Sequence, residues 1–210
     1  MTNSSNIPEK NFVDSIAKNE LKDISSDMSE ALLDTYLSDG FFKEMPFIGT
    51  AFKTFSVFQK TQEYFFAKKI YKFLFELKNI EEKEREDFKA KIDKDNNAQK
   101  MGEKVLLLLN QSDDIDKATI IGRLFKAYIE KRFDFETFQR ATAAINKVFI
   151  GDIRHILSYN IDSVHRESLV NAGFLTLDGV HEINHGGNGK LKYTVSQIGN
   201  IVQRYGGIYE

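Results

Sequence analysis

The chain has 210 residues, 41% hydrophobic and 29% charged, the composition of a folded protein with a sizeable core rather than a disordered one. Its 29 Lys and Arg against 31 Asp and Glu leave a formal charge of −2, so any contact with nucleic acid or an acidic membrane needs a local patch. With no cysteine there is no disulfide, thiolate metal site or cysteine nucleophile, which fits a reducing cytoplasm.

The opening residues, MTNSSNIPEKNFVDSI, are polar and acidic, with no apolar core behind a basic start, so no secretory signal is expected. Prolines occur only at Pro8 and Pro46, and few breakers with long periodic runs argue for helices. A first helix is predicted over about 9–22, with Phe12, Val13, Ile16 and Leu21 on one side. A second starts at Ser25 or Ser26 as N-cap and stops at Asp39-Gly40, a glycine end signal. Residues 1–40 carry eight acidic and three basic side chains, whereas 41–78 carry seven Lys and three Glu. These opposite balances predict that the two segments lie near each other and partly neutralise.

Residues 41–78 also hold ten of the 18 phenylalanines. Pro46 separates short elements, and after Gly49 the aromatic pattern runs from Phe52, Phe55 and Phe58 to Phe65, Phe66, Ile70, Phe73, Leu74 and Leu77. That is the pattern of a long amphipathic helix, or of two. In the first reading the rings form the main core and the lysines its solvated edge. In the second the segment docks on a membrane surface or a partner subunit, with Phe41, Phe42, Phe47, Ile48 and Lys53 as the anchors. Lys43, Lys53, Lys60 and Lys68 interrupt the run, which argues against a membrane-spanning helix.

Residues 81–95 are charged nearly throughout, with Phe88 and Ile92 as a thin apolar stripe, and read as a solvated outer helix. VLLLLN at 105–110 reads as a buried helix end, and the AQKMGEK before it as a polar turn. From Asp113 the apolar step is regular through Ile115, Ala118, Gly122, Phe125 and Ile129, and Gly122 is expected to allow a close helix–helix approach. Asp134 is the expected N-cap of a helix bearing Phe138, Ala141, Ile145, Val148, Phe149 and Ile153, predicted to lie antiparallel to its predecessor. Asp113, Asp114, Asp116, Glu81 and Glu82 read as helix-start charges.

Beyond about residue 158 the texture changes. SVHRESLVNA at 163–172 reads as a helix ended by Gly173. FLTLDGVHEI and KLKYTV read as two strands joined by NHGGNG, and SQIGNIVQRYG as a closing helix. That order matches the latter part of a winged-helix module.

His181-Glu182-Ile183-Asn184-His185 has the HExxH form, but zinc chemistry needs it on a helix, where both imidazoles share a face. In a strand, four steps at about 3.3 Å separate the two by roughly 13 Å. Exposed wing histidines are therefore expected and no metal. GGNGK at 186–190 leads into a strand rather than a helix, so it reads as a hairpin tip and not a phosphate cradle. The four histidines, at 155, 165, 181 and 185, all fall in the last 60 residues; each is expected on the surface or with one local hydrogen bond, the alternative being a cluster in space. Nucleic-acid contacts would fall to Arg166, Lys190, Lys192 and Arg204, yet residues 151–210 carry five basic and six acidic side chains, where a DNA reader has a basic excess.

The run from MPFIGT through KKIYKFLFEL, VLLLLNQSDDIDKATIIGRLFKAYI and NKVFIGDI resembles a group of bacterial and prophage-encoded proteins in which a helical domain precedes a degenerate winged-helix end. SLVNAGFLTL with YTVSQIGNIVQRYG is similar to the ending of winged-helix regulators. The resemblance, over about residues 45–205, implies a phage-defence context linked to abortive infection, and brings no catalytic residues. The expectation is a mainly α protein: a helical domain over 1–158, followed by a small winged-helix-like α+β module over 159–210. Within the first lie acidic helices at 9–40, the Phe/Lys segment at 41–78 and a helical core at 97–158. The expected function is a non-enzymatic cytoplasmic interaction protein without catalytic residues, cofactor or metal, acting through a protein partner or self-association. The alternatives are a membrane-interface effector and a winged-helix DNA-binding regulator.

Overall fold

A computed structural model describes residues 8–17, 60–156, 162–181 and 190–208. The described part is mainly helical, with one two-stranded antiparallel sheet. In chain order the elements are α1 (Pro8–Ala17), α2 (Lys60–Leu77), α3 (Glu82–Asp95), α4 (Ala98–Gln111), α5 (Ile115–Ile129), α6 (Phe135–Lys147), α7 (Ile150–Ile153), α8 (Ser163–Ala172), β1 (Leu175–His181), β2 (Lys190–Val195) and α9 (Gln197–Tyr205). The chain divides into two compact units, Met1–Arg132 and Phe133–Glu210. The boundary between these units falls before α6, two helices ahead of the position near 158 read from the sequence. Helix α6, expected with the helical core, packs on α8 and α9 instead.

In the first unit α2 packs along α5 and α1 along α4, with α3 closing against α1 and α5. The apolar stripes meet in an aromatic core. Phe73 stacks on Phe12 with centroids 6.0 Å apart and lies 5.3 Å from Phe125. Phe88 meets Phe125 and Tyr128 edge-on at 6.0 Å. Such pairs add about 0.5–1.5 kcal/mol each beyond the area they bury. Within α2, Phe66, Ile70, Phe73, Leu74 and Leu77 are buried, so there the aromatic stripe is core; Phe65 is exposed. The proposed anchors Phe41, Phe42, Phe47, Ile48 and Lys53 lie outside the described residues, as does the second predicted helix with its acidic charges.

Two glycines set the helix spacing. A Cβ on Gly122 would stand 2.7 Å from the Phe73 carbonyl oxygen of α2, so the close approach expected there is present. Gly102 is tighter still, with the Glu9 carbonyl oxygen of α1 2.0 Å from where its Cβ would lie. AQKMGEK is therefore not a turn. It forms the first two turns of α4, and Ala98, Met101 and Gly102 are buried against the first unit's core.

Helix α3 corrects a second expectation. Phe88 and Ile92 are buried, but so is Arg85, 2% exposed. Its guanidinium donates to the carbonyls of Ile16 at 2.6 Å, Ile80 at 3.3 Å, Lys78 at 3.3 Å and Leu77. These oxygens include the last turns of α1 and α2, where helix carbonyls lack intrahelical partners and the dipole favours a cation. One side chain thus caps two helices.

In the second unit, Asp134 caps α6 by accepting from the Thr137 amide at 2.8 Å. The expected continuous helix to Ile153 breaks at Val148-Phe149, both extended; Val148 is buried and Phe149 is exposed. Helix α5 packs on α2 in the first unit and α6 on α9 in the second. Asp162 caps α8, and Gly173, at φ 88°, ends it in the left-handed conformation predicted for a glycine stop. The predicted strands pair with Leu175 opposite Val195 and His181 opposite Lys190. Ser196 caps α9, accepting from the Gly199 amide at 2.9 Å.

Candidate interaction surface

The two strands present chemically different faces. Residues 191, 193 and 195 alternate onto one face of β2, and their partners across the ladder are Val180, Leu177 and Leu175. At the base Leu175 is buried and Val195 half-buried. Further along, Leu177 and Leu191 are 56% and 53% exposed. Tyr193 stands opposite Leu177 in the ladder and two residues along β2 from Leu191, and the Arg166 guanidinium of α8 sits over its ring, 5.5 Å from the centroid. The other face is polar. Thr176 and Thr194 bring their hydroxyls to 3.2 Å, and Lys192 pairs with Asp178 at 3.1 Å. Asp178 is the bulged residue, and Gly179 beside it has φ 150°, backbone that favours glycine.

Of the four predicted nucleic-acid contacts, Arg166 and Lys192 therefore serve opposite faces, and Lys192 already holds a carboxylate. Arg204 lies in the last turn of α9 over the Tyr205 ring, at 5.6 Å. Lys190 is the first residue of β2, and its side chain lies outside the described part. His181 ends β1, so HExxH begins in extended backbone as predicted; Glu182 and His185, with the rest of 182–189 connecting the strands, lie outside the described residues. Among the described residues no group of acidic and histidine side chains forms a metal cage, and no helix is long and apolar enough to cross a membrane.

A second grouping joins α7 to α8. His165 Nδ1 lies 2.7 Å from Asp152 Oδ1, and with a carboxylate as acceptor the ring nitrogen donates. His165 Nε2 lies 3.4 Å from Asp162 Oδ2. The His155 ring stacks on that of His165, centroids 4.7 Å apart and planes 20° from parallel. Asp152 is buried at 5% exposure. Asp162 is held below the usual carboxylate range, chiefly by the His165 amide it accepts from; desolvation opposes this as the next largest effect, and the His165 imidazole, the Val164 amide and the His155 imidazole add to the lowering. His155 and His165 thus come together, the alternative to each making only one local hydrogen bond.

The first unit holds a third feature, an open cavity of about 710 Å³ lined by Gln62, Phe65, Lys69, Asn110, Asp113 and Asp116 among others. Lys69 donates to the Ser112 carbonyl at the end of α4. Burial lowers its ammonium's proton affinity, with Asp113 and Asp114 pulling the other way. Lys117 is fully buried and reaches Asp113 at 2.5 Å. Burial raises the Asp113 carboxyl, but Lys117's hydrogen bond and charge outweigh it and leave the group below its ordinary value. Asp114 accepts from the Asp116 amide at 2.8 Å as the N-cap of α5. These charges fix a helix junction, as expected for helix-start residues.

Neither a protein family, nor a curated protein, nor a solved structure matches the chain. Sequence reading missed Arg85, Lys117 and Asp152, charged residues inside charged or mixed runs; only their recurrence at the apolar step (Arg85, Phe88, Ile92) would have marked the first of them.

Proposed function

We propose that the protein is a non-enzymatic, cytoplasmic binding protein whose C-terminal part is a winged-helix-like module adapted to contact protein rather than DNA. The observation that carries this reading is the hairpin face on which Leu177 and Leu191 stand exposed beside the Arg166-covered Tyr193. Aliphatic and aromatic side chains with one arginine are the composition of interface centres. A wing built for a phosphate backbone would instead present free cations, whereas Lys192 is spent on Asp178. The simplest partner is a second copy meeting the same face about a two-fold axis. The phage-defence or prophage setting rests on the resemblance alone.

Sedimentation velocity over a concentration series tests the reading. Wild type is expected to associate reversibly, and Leu177→Asp with Leu191→Asp to sediment as a monomer with an unchanged circular dichroism spectrum. A wild type that stays monomeric throughout, or a double variant that associates equally, overturns this face as the self-contact.

A further inference from the structure

We propose that Lys69 is a carbonyl-capturing lysine, whose amine forms imines with neutral, apolar aldehydes admitted to the open cavity of the first unit. The proposal stands apart from the hairpin face and does not rest on it. The cavity has about 710 Å³ of room, with Phe65, Phe66 and Ile115 among its apolar walls and Lys69 of α2 on the same lining. Phe65 is exposed, so an aliphatic body can lie against its ring. The carboxylates of Asp113, Asp114 and Asp116 line the same space, three negative charges against one positive. That excess repels an anionic aldehyde and leaves an uncharged one unopposed. The site thus selects by polarity and by charge.

Imine formation needs a lysine that is reachable, held in place and able to shed its proton. Lys69 is half-buried, and its ammonium donates to the Ser112 carbonyl at the end of α4, which fixes the nitrogen at the wall. Burial, the largest effect, weakens its hold on the proton, with Asp113 and Asp114 pulling the other way. The charges beside it come from the α4–α5 junction and the first turn of α5. Asp113 is shared with Lys117, Asp114 caps α5, and Asp116 stands exposed. Other described lysines are placed differently. Lys117 is fully buried on Asp113, and Lys89, Lys131 and Lys192 hold carboxylates. Lys68, Lys78 and Lys91 lie over aromatic rings. In the reaction the neutral Lys69 nitrogen adds to the carbonyl carbon. The carbinolamine then loses its oxygen as water, both hydrogens coming from nitrogen, and a C=N bond replaces C=O. No oxidant or reductant is consumed.

Reductive alkylation of the full chain tests this, with limiting hexanal and sodium cyanoborohydride at neutral pH and peptide mass mapping to score each lysine. Lys69 is expected to carry at least about fivefold more hexyl adduct than the average of the other lysines. Formaldehyde, too small to need the apolar wall, reports the amine alone. Phe65→Ser is expected to lower the hexanal adduct at Lys69 by about threefold or more, with formaldehyde labelling unchanged. Glyoxylate, an anionic aldehyde, is expected to show no preference for Lys69. Hexanal labelling that leaves Lys69 at or below the average overturns the proposal. A preference that survives Phe65→Ser, or that glyoxylate shares, overturns the neutral, apolar ligand class and the proposal with it. If Phe65→Ser does not fold, the wild-type comparison of hexanal with glyoxylate decides alone.

Discussion

A single guanidinium shows how much one side chain governs. Arg85 satisfies carbonyls of Ile16, Leu77 and Ile80 from inside the first unit, without any described carboxylate beside it. Burial lowers its hold on the proton, but a guanidinium stays charged in a folded protein at neutral pH. Arg85→Ala leaves several buried oxygens without donors and is expected to cost about 3–5 kcal/mol, read from the urea midpoint. Arg85→Lys keeps the charge but not the planar fork, and is expected to cost about 2 kcal/mol. A loss under about 1 kcal/mol for the alanine variant would contradict the capping role. Asp113 answers to pH instead. Its folded carboxyl lies below the ordinary 3.8, so the Lys117 contact stabilises the fold above that pH and is lost as pH falls through the lower folded value. Asp113→Asn is expected to flatten the acid limb of a stability-against-pH curve while costing about 1 kcal/mol at neutral pH, a value reduced because Asp113 is largely exposed.

Helices are where the amino-acid pattern spoke most clearly, and where its silences have physical causes. Gly102→Ala is expected to push α1 off α4, since the added carbon would sit inside the van der Waals radius of the Glu9 oxygen. A loss of about 2–3 kcal/mol by denaturation, against a smaller one for an exposed alanine substitution on α3, would bear this out. Helices α3, α5, α6 and α8 with their Asp114, Asp134 and Gly173 ends were readable, because apolar period and cap chemistry are local. The break at Val148-Phe149 was not, because the apolar step continues through it while Phe149 turns out to solvent. The opening of α4 was misread because its lysines and Gln99 mask a buried face that only α1 completes. Histidines ten residues apart share no helical face, so their stacking waits on the packing of α7 against α8.

At the scale of the molecule, near-neutral charge and the tying of Lys192 and Arg166 weigh against nucleic acid. The protein is expected to give no gel shift with duplex DNA at about 50 mM salt; a shift that Lys190→Ala with Lys192→Ala weakens would restore the DNA-binding alternative. Which residues could meet a lipid surface lies with the Phe/Lys segment before residue 60, outside the described residues.

The Ile16 carbonyl bound by Arg85 has one more implication. The ten-residue helix over Pro8–Ala17 is not an appendage to be trimmed for convenience, because it is wedged against Phe73 and supplies one of the oxygens that hold a buried cation. A fragment starting after Ala17 would expose that ring and strand that charge together. Such a shortened product should collect in inclusion bodies when expressed, and be rescued by adding the missing peptide in trans.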